Sequence, residues 1–215
     1  MSNEIAKTNI QRHTLGAGFA MLLLAPVANA HHMMGGRVPE TFTEGLLSGL
    51  AHPVIGLDHF AFLLVAVLLS FTLRGVARYA VPVAFVMATL AGTVFHLGEG
   101  DIPFVETLVS LTVLFAGLLA YTRKSPSALF LSGLFMVAGV LHGYAYGESI
   151  VGAENTPLFA YLVGFSLIQY AVIAGGIRGM ELIARRSDAL RVLTSRLASG
   201  VALLSGGVFL TLSLI

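Results

Sequence analysis

The chain has 215 residues, of which 56% are hydrophobic and only 11% charged, and its mean hydropathy is +0.87. Soluble domains carry about 25% charged residues, so an ordinary water-solvated surface is excluded and a lipid bilayer is the implied surrounding. The net charge of +1, with no basic run interleaved with aromatics, excludes a nucleic-acid partner. The absence of cysteine excludes disulfides and thiolate metal sites, so any metal must be held by His, carboxylate, Met, backbone or water.

In chain order, Lys7 and Arg12 precede the apolar run Leu15 to Ala25, then Pro26 and the A-x-A pattern Ala28-Asn29-Ala30. This predicts a secretory signal peptide, residues 1–30, cleaved after Ala30. Residues 31–215 form a single transmembrane domain. The mature chain then begins His31-His32-Met33-Met34, a cluster able to capture a soft or borderline divalent ion. Apolar runs predict six spans, at 53–71, 79–97, 104–121, 127–146, 158–179 and 197–215. The fold class expected is all-α, a polytopic bundle of six spans behind the signal peptide.

Charge sets the orientation. Ten basic residues follow residue 30, and nine of them fall in three alternate breaks: Arg74 and Arg78; Arg123 and Lys124; Arg178, Arg185, Arg186, Arg191 and Arg196. The other breaks are acidic, with Glu99, Asp101 and Glu106, then Glu148 and Glu154. An excess of Lys and Arg marks the cytoplasmic side, so both mature termini are expected in the periplasm of a bacterial inner membrane. In that topology His52, Asp58, His59, His96 and His142 all lie in outer halves of spans, and Glu99 and Glu148 follow His96 and His142 by one or two turns.

Within His52-Pro53-Val54-Ile55-Gly56-Leu57-Asp58-His59, a continuous helix would align the two imidazoles to within about 20°, roughly 10 Å apart, with Gly56 on the same stripe. Glycine there leaves room for an ion or a second helix. Pro53 suits a first turn and disfavours helix at His52, which places the helix start at Pro53 and His52 at the mouth; a broken helix is expected where it lines a cavity. Asp58 in a span costs about 2.5–3.5 kcal/mol, so it needs a cation, a partner or a tautomer-fixing role beside an imidazole. Tyr144, Tyr146 and Tyr161 read first as interfacial belt residues and second as site residues, and Gln169 first as interhelical glue and second as facing the pathway. Gly175, Gly176, Gly179 and the pair Gly206-Gly207 permit close helix contacts within one chain or in a homo-oligomer.

The first cluster resembles the HPxxGxDH signature of the HupE/UreJ family, membrane proteins associated with hydrogenase and urease gene clusters and regarded as nickel or cobalt permeases. Every fixed position is met, and the signal peptide and six spans are similar too. The family's second motif, approximately FHGxAHGxE, is matched in part by Leu141-His142-Gly143-Tyr144-Ala145-Tyr146-Gly147-Glu148: Tyr146 stands where the second His is expected, and the acid arrives one residue early. Ala91-Gly92-Thr93-Val94-Phe95-His96 through Glu99 echoes Ala138-Gly139-Val140-Leu141-His142 through Glu148.

The resemblance implies a secondary transporter, not an enzyme, taking up Ni²⁺ or Co²⁺ with no cofactor beyond the transported ion. His52, His59 and His142 are the expected ligands, Asp58 a ligand or orienting acid, and His96, Glu99 and Glu148 the outer approach. Imidazole suits such borderline ions, and no nucleotide-binding loop is present. Two other classes fit the same groups. One is a haem- or metal-binding membrane enzyme, disfavoured by the lack of H-E-x-x-H and G-x-S-x-G motifs. The other is a metal-sensing or assembly partner that binds without translocating.

Overall fold

The structure, a computed structural model, describes residues 37–215. The expected signal peptide, residues 1–30, and the His31-His32 pair lie outside the described residues. The first helix starts at a complete capping box: the Glu44 N–H donates to the Thr41 hydroxyl, and the Thr41 N–H donates to the Glu44 carboxylate. Two backbone donors that a helix end leaves over are thereby satisfied. From this cap runs α1, Phe42–Ile55, which hydropathy does not reveal because Glu44, Ser48, Gly45 and Gly49 interrupt its apolar pattern. Those glycines are the reason it docks. A Cβ on Gly45 or Gly49 would collide with the backbone of Pro157 or Tyr161, so α1 lies backbone to backbone against a later helix.

Pro53 therefore does not start a helix. It sits inside the last turn of α1, and the break comes at Gly56, whose φ of −64° and ψ of 104° are extended. Helix α2, Leu57–Phe71, leaves at 72° to α1. Proline in the final turn removes one backbone hydrogen bond and crowds the preceding turn, and glycine three residues on provides the flexible bend point.

Five further helices follow: α3 Ala77–Leu97, α4 Val105–Tyr121, α5 Ala128–Glu148, α6 Asn155–Arg186 and α7 Asp188–Leu212. Among the described residues there is no strand, and the fold is all-α. Helices α3, α4 and α5 match the expected spans to within a few residues. Helices α6 and α7 overrun theirs, because each continues as a polar-sided helix beyond its apolar part; only Ser187 separates them, and its hydroxyl caps α7 by accepting from the Leu190 N–H. Helices α3, α5, α6 and α7 are each long and apolar enough to cross a membrane, and the bent pair α1–α2 makes a fifth if counted as one span. Helix α4 is apolar but has 17 residues. Met87, Val94, Phe115, Met136, Val137, Phe159, Leu167, Val201 and Leu204 all face outward. So much apolar surface turned outward is matched to lipid, and the chain is a membrane protein.

Helices α3 and α5 pack at the Ala-Gly echo seen in the sequence. A Cβ on Gly143 would overlap the backbone of Thr89, one on Gly92 the backbone of Val140, and one on Gly139 would sit 2.6 Å from the Ala88 Cβ. Small residues permit such approach between membrane helices, and the Thr93 hydroxyl uses it to donate to the Gly143 carbonyl at 2.7 Å. Gly143→Leu is expected to destabilise the protein by at least about 1–3 kcal/mol, the usual cost of overpacking. The check is a lowered midpoint of thermal unfolding in detergent; an unchanged midpoint would show that α3 and α5 can separate freely. Gln169 is buried and donates to the Thr89 hydroxyl at 3.4 Å, the interhelical role expected of it. Gly176 and Gly206 pack within the chain against Val67 and Leu114, whereas Gly175, Gly179 and Gly207 face open space.

The bundle's two ends differ. At one end Glu181 bridges Arg78 and Arg178 at 2.7 and 2.8 Å, joining the start of α3 to the end of α6. At the other, the Thr107 hydroxyl donates to the Ser213 hydroxyl at 2.9 Å, joining the start of α4 to the end of α7.

Candidate metal site

Bending at Gly56 changes the geometry read from periodicity. The His52 and His59 rings are not two turns apart; their centroids lie 5.7 Å from each other. A Cβ on Gly56 would fall 2.7 Å from the His59 ring, so the missing side chain is what lets that ring fold back. The space serves the imidazole itself and not a second helix. His52 is likewise not at a mouth, being 2% exposed, with His59 at 0% and Asp58 at 7%. Asp58 lies in the first turn of α2, and its Oδ1 accepts from the His59 N–H at 2.8 Å, a position that also suits the positive end of a helix.

His142 of α5 completes the group from the opposite side. Its Nδ1 is 2.8 Å from His59 Nδ1, and its Nε2 is 3.1 Å from the Thr112 hydroxyl of α4. That hydroxyl donates to the Val109 carbonyl at 2.7 Å, so toward His142 it accepts. The tautomers follow: His142 carries its proton on Nε2, His59 donates from Nδ1, and the His59 lone pair is on Nε2. A parallel chain orients His52. The Tyr161 and Ser149 hydroxyls both donate to the Tyr146 carbonyl, at 2.8 and 3.1 Å, and each oxygen is 3.0 Å from His52 Nδ1. The two hydroxyl oxygens are also 3.0 Å from each other, so Ser149, Tyr161 and His52 Nδ1 form one buried polar network. Hydrogen bonds that fix the tautomer in this way are the usual support of imidazoles that ligate metals.

Among the described residues, no three His, Asp or Glu groups form a ready metal cluster. His142 spends its Nδ1 on His59, so in this arrangement it positions that ring. The ring separation of 5.7 Å between His52 and His59 nevertheless falls in the range of about 4.5–6 Å that two imidazoles sharing one ion at bonds near 2 Å would have. Beyond them the core turns apolar: Phe62 lies 4.7 Å from the His142 ring and stacks on Phe85 at 4.8 Å, with Phe135 at 6.0 Å from Phe62.

The remaining expected residues are set apart. His96 is half-buried, edge-on to Tyr144 at 4.3 Å and packed against Gly147, while Glu99 and Glu148 are exposed at the same end of the bundle. The tyrosines are not belt residues. Tyr144, Tyr146 and Tyr161 are buried, and Tyr146 stands edge-on to both His52 and His59 at 5.0 and 4.5 Å. Its phenol oxygen is buried and has no hydrogen-bond partner among the described residues. Ser149 and Thr112 are the candidate-site residues that sequence reasoning missed, while Tyr146 and Tyr161 carry out their second reading, as site residues, rather than their first. For Ser149 the one signal available was the departure of residues 146–149 from the second motif.

Thr112→Val keeps the shape of the side chain but removes the acceptor for His142 Nε2. Losing such an outer partner typically costs 10–100-fold in metal affinity. The variant is expected to weaken metal binding by that factor, measured by isothermal titration in detergent; unchanged affinity would break the link from Thr112 to His59.

A helical membrane bundle with a buried histidine–carboxylate group at a bent helix pair is thus the class of protein defined here. The HupE / UreJ protein family model matches residues 19–210, and the chain belongs to that family. It is similar to Protein HupE of Rhizobium leguminosarum bv. viciae, with 30% identity over 192 residues, covering 89% of this chain and 94% of that relative. No solved structure matches it.

Proposed function

We propose that this protein is a secondary transporter that takes up Ni²⁺ or Co²⁺ across the bacterial inner membrane. The observation that carries this reading is the buried His52–His59 pair, whose ring centroids the break at Gly56 brings to 5.7 Å, with Asp58 bonded to the His59 N–H in an otherwise apolar bundle. Ionisable groups at membrane depth mark ion pathways, and irregular backbone there is tolerated where it lines one. His52 Nε2, His59 Nε2 and the Asp58 carboxylate bind the ion, with the Tyr146 phenol facing it. His142 positions His59 and takes a share of the ion when their mutual bond opens. His96, Glu99 and Glu148 form the outer approach, joined by His31 and His32 of the mature terminus once the signal peptide is removed.

The bent pair α1–α2 serves as the first of six spans and α4 as the third, its 17 residues covering about 25 Å at 1.5 Å each. The basic end faces the cytoplasm, and both mature termini are periplasmic. A double charge entering a negative interior gains about 4.6 kcal/mol at 100 mV, which drives roughly three decades of accumulation without nucleotide hydrolysis. Phe62, Phe85 and Phe135 close the inner side of the site, so passage requires their rearrangement.

The test is uptake of radiolabelled Ni²⁺ and Co²⁺ by proteoliposomes with an imposed inside-negative potential. Saturable flux, suppressed by an excess of either ion and not by Mg²⁺, is expected. Metal binding without flux would overturn transport in favour of a sensing or assembly role, and a haem absorption spectrum would overturn it in favour of an enzyme.

A further inference from the structure

A cavity lies at the basic end of the bundle, away from the histidines. It encloses about 180 Å³ between the end of α2, the α4–α5 connection and the start of α7. Leu68, Phe71 and Ala120 form its apolar wall, and Arg123, Lys124 and Arg191 are its cations. Arg191 is held by Asp188 through two bonds of 2.9 and 2.6 Å. Among the described residues neither Arg123 nor Lys124 is in an ion pair, so the cavity keeps a surplus of two positive charges. Thr72, Ser125 and Ser195 add hydroxyls around them. Arg123 closes α4 with φ at 56°, in the left-handed region where glycine is the ordinary residue after a helix. An arginine stands there although the backbone would favour a residue without a side chain.

The volume is below the roughly 300–1,000 Å³ of sites for drug-sized ligands, which argues against a nucleotide and suits a headgroup. A cationic pocket with an apolar wall at the end of a membrane bundle matches a phosphodiester joined to an acyl-bearing glycerol. Basic pockets between membrane helices bind such headgroups. We propose that this cavity is a specific site for the phosphate headgroup of an anionic glycerophospholipid. The inference is independent of what the histidine group transports.

Native mass spectrometry of the detergent-solubilised full chain, titrated with phosphatidylglycerol or phosphatidylcholine, tests it. The protein is expected to bind phosphatidylglycerol at least about tenfold more tightly than phosphatidylcholine, since each cation near a membrane surface contributes about a fivefold preference for anionic lipid. Neutralising both, in Arg123→Gln with Lys124→Gln, should weaken phosphatidylglycerol binding about 30-fold by the same constants. Ser195→Phe, which fills the cavity without changing charge, should lose the preference as well. The exposed pair Arg185→Gln with Arg186→Gln removes equal charge from the same end outside the cavity, and this variant should keep it. Equal loss in that control, or retention in the Arg123/Lys124 double variant, would overturn the site. Displacement of phosphatidylglycerol by millimolar inorganic phosphate would overturn the lipid assignment in favour of a free anion.

Discussion

His59→Ala is expected to reduce Ni²⁺ and Co²⁺ accumulation to the background of cells lacking the protein. The side chain is fully buried, shares its Nδ1 with His142 at 2.8 Å and has its ring centroid 5.7 Å from that of His52. Removing it deletes a direct ligand and also takes from the buried His142 the partner of its Nδ1. Loss of an outer partner alone costs 10–100-fold in affinity, so loss of the ligand should exceed about 100-fold. His142→Gln provides the contrast: if His142 mainly positions His59, that variant should fall within the 10–100-fold range and retain measurable flux at high metal. Membrane abundance and unfolding midpoint must be followed in parallel, since each change leaves a buried imidazole without its partner. A His59→Ala protein that is present, folded and still accumulates metal at the native rate would remove the centre of the proposed mechanism.

The site residues legible in the sequence were those whose type is costly in lipid. Asp58 and the histidines stand out because a span has little reason to contain them, and their sorting to one end follows from the basic breaks. Geometry was less legible. Periodicity presumes an unbroken helix, whereas the distance between His52 and His59 is set by a 72° bend at one glycine. Helix α1 was hidden because its burial comes from Gly45 and Gly49 meeting the backbone of α6, and hydropathy counts such positions as nearly neutral. The tyrosines were misplaced for a related reason: an amphipathic ring suits both the membrane interface and a buried polar site, and only packing tells them apart. The partners of the His142 and His52 rings, Thr112, Ser149 and Tyr161, are remote from the first motif in sequence, and only Ser149 adjoins the second.

Tyr146→Phe should separate function from stability, because its two expected effects have opposite signs. The substitution removes one oxygen and leaves the ring contacts with His52, His59 and Phe165, at 5.0, 4.5 and 5.4 Å. Burying a hydroxyl without a hydrogen bond costs about 1–3 kcal/mol, so deleting it should leave the unfolding midpoint unchanged or raise it. If the phenol faces the ion, the same deletion takes away an oxygen donor, or the anchor for one of the ion's waters, and uptake should fall by about tenfold, the lower bound for loss of a supporting group. Tyr146→His places an imidazole there instead, with a stronger preference for borderline ions, and should shift competition toward Ni²⁺, Cu²⁺ and Zn²⁺ over Mn²⁺. A stabilised Tyr146→Phe protein with native uptake and native metal competition would exclude the phenol from the pathway and leave it as packing between two imidazoles. A destabilised one would mean that the oxygen has a partner in the folded protein.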